Sequence, residues 1–230
     1  MTEREIRKYI DRLNKGNACE SIFTRQISNN VVVSKVWSNP PKVTDDIIGI
    51  YNSYRFFFIK NEQNIYIAAV LDMNHDLHWY VSPSHRKKGY LTNALKESIL
   101  PYLFNEEREA QRITIRKNII GEKNYLGSKT VAQNLGFKAT NEEETEFELT
   151  SLDFNWENEN LKEINSGINS ERLEVLRKRV FYAYKILYKI SDELTMAYND
   201  DKELNEVAQK VKKYTMKIED IEWENKKTKR

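Results

Sequence analysis

The apolar residues of this chain change period near residue 170. Beyond it Leu173, Val180, Leu187 and Leu194 recur every seven residues, with Leu176, Ala183, Ile190 and Ala197 between them. A second series, Leu204, Val207, Val211, Tyr214, Ile218 and Ile221, follows the polar run "NDDKE". A heptad seam in two segments joined by a short polar break specifies two helices in an antiparallel hairpin, with Asp200 and Glu203 as a capping box for the second. Upstream, short β-rich runs alternate unevenly with short helical ones, the pattern of a mixed α/β layer and not of an even βα repeat. The 230 residues suffice for one sizeable core and a helical appendage. We therefore expect an α/β (α+β) domain over residues 1–150 and a helical extension over residues 151–230.

Within the first part, Ile6, Ile10 and Leu13 sit at helical spacing behind Thr2, a capping residue. "NVVVSKVW" reads as a first strand that "NPPK" ends, and Thr44 with Asp45 and Asp46 starts a short helix. "RFFFIK" and "IYIAAVL", joined by a short polar link, predict a hairpin. "DLHWYV" (Asp76 to Val81) is a further strand, and Ala94, Leu95, Ile99, Leu100 and Leu103 trace a helix face. "RITIRK" (Arg112 to Lys117) is the next strand, then a helix ends at "NLGF", where Gly136 suits a helix C-terminus. "FKATNEEETEFELT" supplies one or two closing strands.

Lysine plus arginine (37) nearly balance aspartate plus glutamate (35), so no global field recruits nucleic acid, and such a partner requires a local basic patch. The single cysteine, Cys19, excludes an internal disulfide framework and a cysteine-rich metal site. It reads as a buried or incidental thiol. His75, His78 and His85 lack the spacing and further ligands of a zinc site, so no metal is expected. No apolar run reaches membrane-spanning length, and the charged start "MTEREIRKYIDRLNKGN" is not a leader; the expectation is a cytoplasmic protein with no membrane partner.

The stretch "HWYVSPSHRKKGYLTNAL" carries the chemistry. It passes from alternating apolar residues through a basic run to Gly89 and then into helical spacing. A helix N-terminus offers unpaired N–H groups, glycine leaves the backbone accessible, and Arg86, Lys87 and Lys88 add counter-charge, so the join suits a pyrophosphate. The stretch resembles the coenzyme A-binding motif of the GNAT (general N-acetyltransferase) superfamily, V-x-P-x-x-(R/Q)-x-x-G-x-(G/A), through Val81, Pro83, Arg86 and Gly89. "GYLTNAL" is similar to "GYxTEAL" of the branch that acetylates ribosomal-protein N-termini, with Asn93 in place of the glutamate and Leu91 at the second small position. "SKTVAQNLGF" resembles the family's S-x-x-(V/L)-x-x-x-L-G-F. The asparagine usually three places before that serine is Tyr125 here, with Asn124 one place early, and the tyrosine often four places after it is Ala132.

The resemblance implies a GNAT-like, mostly antiparallel central sheet flanked by helices, with acetyl-CoA as co-substrate. It implies that Val81, Arg86, Lys87, Lys88, Gly89, Tyr90, Leu91, Thr92 and Asn124 hold the coenzyme. An amine of a small molecule or protein would attack the thioester directly, and an N–H of the strand Asp76 to Val81 would stabilise the oxygen. His75, six residues before Val81, is the first candidate base, with His78 as the alternative and a solvated turn or a sheet residue as the plainer reading of each. Ser128 is the candidate donor to the departing thiolate, or else a serine that only hydrogen-bonds the coenzyme. Trp37, Tyr51, Tyr54 and Phe56 to Phe58 line an acceptor pocket or, more simply, the core. Two other functions compete: an acyl-CoA-binding module without catalysis, and a scaffold whose helical hairpin forms a homodimer or takes a partner.

Overall fold

The computed structural model describes residues 2–18, 20–46, 53–162, 167–199 and 202–227. The chain divides into two compact units, Met1–Asn165 and Ser166–Arg230. The first is a mixed α+β unit. It opens with α1 (Glu3–Asn14), capped as expected: the Glu5 N–H donates to Thr2 Oγ1 at 3.3 Å while Glu5 Oε2 accepts the Thr2 N–H at 2.7 Å. Strands β1 (Ile22–Gln26), β2 (Val31–Val36), β3 (Tyr54–Lys60), β4 (Tyr66–Asp72) and β5 (Leu77–Val81) form an antiparallel sheet in sequential order. A second antiparallel sheet is ordered β6 (Ala110–Thr114), β8 (Glu146–Thr150), β7 (Lys138–Ala139). The strands thus form two sheets where the sequence suggests one.

The centre of the first sheet, β2 to β4, is buried on both faces. Phe56 and Phe58 pack with Ile6, Tyr9 and Ile10 of α1, whereas Phe57 faces a larger core with Leu95, Ile99 and Leu103. This accounts for the continuous apolar runs of β3 and β4. It also makes Phe56 to Phe58 core residues. Tyr54 is exposed, Trp37 half-buried, and Tyr51 and Cys19 lie outside the described residues. Residues 43–45 form a turn and a bend, and the helix expected after them falls outside the described residues.

After Gly89 the chain runs through α2 (Tyr90–Ala94), a π-helical turn (Leu95–Ile99) and α3 (Leu100–Asn105). Pro101 explains the break, because it has no N–H for the carbonyl of Glu97 and its ring crowds that group. The Asn160 N–H takes the orphaned carbonyl at 2.8 Å, and the Lys162 N–H reaches the Ile27 carbonyl at 2.8 Å. Phe154 is buried against Phe104 and Trp156. Residues 151–162 therefore belong with the first unit, and the boundary lies later than residue 150. A single turn, α4 (Lys117–Ile120), and the longer α5 (Glu122–Asn134) follow β6.

The second unit is an antiparallel pair of helices, α6 (Ser170–Tyr198) and α7 (Lys202–Lys227). Arg177 of α6 meets Thr215 and Glu219 of α7, and Lys212 lies over the Tyr184 ring, which fixes their opposite sense. Leu173, Leu176, Val180 and Leu187 turn inward as expected, but Ala183, Ile190 and Ala197 are exposed. Ser191 and Ala208 are buried instead. On α7, Val207, Tyr214 and Ile221 are likewise exposed. The proposed Asp200 cap lies outside the described residues. No described helix is long and apolar enough to cross a membrane.

One buried ionic network joins β3, β4, the link between α3 and β6, and β6 itself. Asp72, whose side chain is 2% exposed, accepts from Arg55 Nε at 2.6 Å and from Arg108 Nη2 at 3.1 Å. Arg108 also donates to Gln111, which is wholly buried and donates onward to the His75 carbonyl at 3.1 Å. Removing one member of such a set leaves buried charge uncompensated, which costs about 3–5 kcal/mol. Asp72→Ala should therefore lower the unfolding free energy, read from urea titration, by an amount in that range. A loss below about 1 kcal/mol would mean that the arginines find water in its place.

Candidate functional site

Strands β5 and β6 run parallel but share no ladder. A single bridge joins Asp76 to Arg112, with the Arg112 N–H on the His75 carbonyl at 3.1 Å. One step further, the Thr114 N–H is taken by the Asp76 carboxylate at 2.9 Å, so the group that would continue the pairing is occupied. Beyond this apex β5 continues to Val81 with β4 on one side only. The Asp76 carbonyl and the Ser82 N–H bond the β4 side of the strand. Antiparallel alternation then turns the N–H groups of Trp79 and Val81 the other way, into the wedge between the sheets.

The far end of β5 delivers the glycine loop. Pro83 starts a short 3₁₀ turn through His85, Lys87 takes a left-handed φ of 60°, and Gly89 one of 80°. A Cβ on Gly89 would meet only Asn93, at 3.7 Å, so its conformation and not its space requires glycine. The first ladder bond of α2 runs from the Asn93 N–H to the Gly89 carbonyl. The N–H groups of Tyr90, Leu91 and Thr92 are therefore left without intrahelical acceptors. Lys87 and Lys88 stand exposed beside them, and Leu91 is buried in the core.

Arg86 acts as a brace. Its Nε donates to the Val81 carbonyl at 3.0 Å and its Nη1 to Asn124 Oδ1 at 3.3 Å. Asn124 in turn donates to the Ile120 carbonyl at 2.9 Å. Ser128, one helical turn on from Asn124 along α5, accepts a hydrogen bond from the Trp79 indole at 3.3 Å. Tyr90 donates to Glu62 Oε2 at 2.6 Å, tying the loop to the β3–β4 turn; this bond raises the tyrosine pKa and lowers that of the glutamate. Val81, Arg86, Asn124 and Ser128 are thereby brought together around the open part of the wedge. Trp79, Asp76 and Glu62, which make the connections, carry no pattern in the sequence that marks them.

His75 is not part of this group. It sits exposed on the turn at the closed apex, and at about 3.3 Å per residue it lies roughly 13 Å along the strand from Trp79. His78 is half-buried on the opposite face from Trp79, and its Nε2 is enclosed with no hydrogen-bond partner. His85 shares a hydrogen bond of 3.0 Å with Ser84. No group of three or more side chains suited to hold a metal ion occurs among the described residues. Ala132 is wholly buried, so the position that often carries a tyrosine contributes to the core. A cavity of about 700 Å³ lined by Lys117, Glu122, Tyr125 and Glu143 contains none of the wedge residues. Comparison with protein-family models, with curated proteins and with solved structures gave no significant match.

Burial pushes the His78 imidazole below its ordinary value, so the fold holds it neutral. The sign follows: below about pH 6.5 the unfolded chain takes up a proton that the native state refuses, and stability falls as pH drops. Urea unfolding between pH 7.5 and 5 should show this loss, and His78→Leu should remove its share of the slope. An unchanged slope would mean that His78 protonates freely in the native protein.

Proposed function

We propose that this protein binds acetyl-CoA in the wedge between β5 and β6 and transfers the acetyl group to a primary amine of a small molecule or a protein, as the resemblance to the GNAT acyltransferases implies. The observation that carries the reading is the pair of bonds Arg86 to Asn124 and Trp79 to Ser128, by which the two motif segments meet beside unpaired strand N–H groups. The pieces suit the ligand. The free N–H groups of Tyr90, Leu91 and Thr92, with Lys87 and Lys88, match a pyrophosphate at a helix start. The N–H groups of Trp79 and Val81 match the amide carbonyls of an extended arm lying along the strand edge.

The chemistry then divides among few groups. Acetyl-CoA supplies an activated thioester carbonyl. The strand N–H groups stabilise charge on its oxygen, since they are fixed in the sheet before the reaction begins. The amine nitrogen bonds to the acetyl carbon as the carbon–sulfur bond breaks, Ser128 gives its proton to the thiolate, and the second proton, shed by the acylated nitrogen, restores Ser128 through solvent. With His75 at the apex and His78 on the other face, the proton of the ammonium leaves to water. A cytoplasmic setting accords with the lone cysteine and with this co-substrate. A second reading, a coenzyme-binding module without turnover, is favoured by the buried Ala132 and the remote His75.

Two measurements separate these readings. Ligand that binds only the folded state raises the melting temperature, so acetyl-CoA should raise it for the natural chain and not for Gly89→Val. Absence of any rise at millimolar coenzyme would remove the proposal. Turnover without a protein base should climb about tenfold per pH unit toward the amine pKa near 10.4, and His75→Ala should change it less than about twofold. A plateau above an apparent pKa near 6.5 would instead establish a histidine base. Binding with no turnover on a broad amine panel would select the non-catalytic module.

A further inference from the structure

Charge is segregated along the helical hairpin. Between Val175 and Ser191 α6 carries five cations and no carboxylate, and between Val207 and Ile218 α7 carries four cations and no carboxylate. The antiparallel contacts of Arg177 with Glu219 and of Lys212 with Tyr184 set these two stretches at the same height. The near-neutral total thus conceals a basic belt with acidic ends. The local patch that a nucleic-acid partner requires is present here.

The belt is also aromatic on one side. Phe181, Tyr184 and Tyr188 follow one another with ring centroids 5.4 and 5.8 Å apart. Lys185 lies over Phe181 at 5.3 Å and Lys212 over Tyr184 at 5.4 Å. Beside them Arg177, Lys178, Phe181, Tyr182 and Lys185 line a shallow groove of about 370 Å³, with Glu174 as its one carboxylate at the edge of the belt. Tyr182 is 67% exposed and Phe181 40%. Arg177 is engaged by Glu174 and Glu219, and Lys178 lies 3.7 Å from Glu174, a long exposed pair that phosphate can displace, so Lys178, Lys185 and Lys212 are the exposed cations offered on this side.

We propose that this face of the hairpin binds single-stranded nucleic acid, with phosphates on Lys178, Lys185 and Lys212 and a base stacked on Tyr182. A second copy laid face to face at the same height would oppose two carboxylate-free belts, and like charges placed together are unfavourable. An acidic peptide would satisfy the cations but would leave the exposed rings without use. A duplex keeps its bases inside, whereas an unpaired strand presents both phosphates and π-faces. Lys178 and Lys185 stand about 10 Å apart along the helix, within the reach of neighbouring phosphates on a flexible strand.

The test uses the full chain and a fluorescein-labelled oligouridylate of about 12 nucleotides, read by anisotropy. Three phosphate contacts predict a slope of about −2 in log K against log salt, a loss of roughly twentyfold between 50 and 200 mM. Lys178→Gln with Lys185→Gln and Lys212→Gln should flatten that slope, Tyr182→Ala should weaken binding at least about fivefold, and Tyr182→Phe should restore it. Tyr182 projects into solvent, so its variants keep the proposal testable should the triple variant misfold. The proposal fails if no binding occurs at 50 mM salt, or if the triple variant binds as the natural chain does. It fails equally if polyglutamate or a duplex binds as tightly as the strand while Tyr182→Ala changes nothing, since the face would then be a general anion or acidic-protein surface.

Discussion

Asp76 holds two strands together at one end and then keeps them apart. It stands opposite Arg112 at the single bridge, whose bond runs from the Arg112 N–H to the neighbouring His75 carbonyl, and its carboxylate occupies the Thr114 N–H that the next pairing step would use. Once that donor is taken, β5 has an unpaired edge inside the protein, which is costly to bury unless something polar covers it. Water or a ligand must supply the missing acceptors. The wedge is thus a consequence of where hydrogen bonds stop, and the functional reading rests on that vacancy in the ladder.

The apex has to be rigid for the open part to keep its shape. Asp72 with Arg55 and Arg108, and Gln111 on the His75 carbonyl, tie four elements together behind it. At the other end the loop is fixed by Arg86 on the Val81 carbonyl and by Tyr90 on Glu62. The helix that follows is broken by Pro101, and the carbonyl so released is bonded by Asn160. This last contact recruits residues 151–162 to the core. A proline within a helix therefore helps decide where the first unit ends.

Local signals in the sequence reached the elements but not the connections between them. The strand, glycine loop and helix of residues 77–105, the β3–β4 hairpin and the end of α5 at Gly136 follow from periodicity and turn chemistry, because each is fixed by neighbours along the chain. β1 escaped the pattern because only Ile22 of its five residues is buried. The buried Asp72 network escaped because Asp72, Arg55 and Arg108 look like ordinary surface charges until the fold assembles them. The hairpin seam was legible in kind and misplaced in detail. A strict seven-residue repeat drifts about 20° per heptad around a straight helix, so from Leu173 to Leu194 the seam rotates by about 60°. Ser191 enters the interface and Leu194, 36% exposed, slides to its edge.

Phe181, Tyr182 and the cations around them face outward at the middle of the hairpin, a surface chemistry that a sequence total near neutrality hides. The exchange rates of individual backbone amides report directly on whether the wedge is open. Measured by NMR in the free protein, the Trp79 and Val81 amides should exchange much faster than those of Asp72 and Leu71 in the adjoining strand, and acetyl-CoA should protect them. Slow exchange of both without ligand, or no change when the coenzyme is added, would show that this strand edge is closed and that the site lies elsewhere.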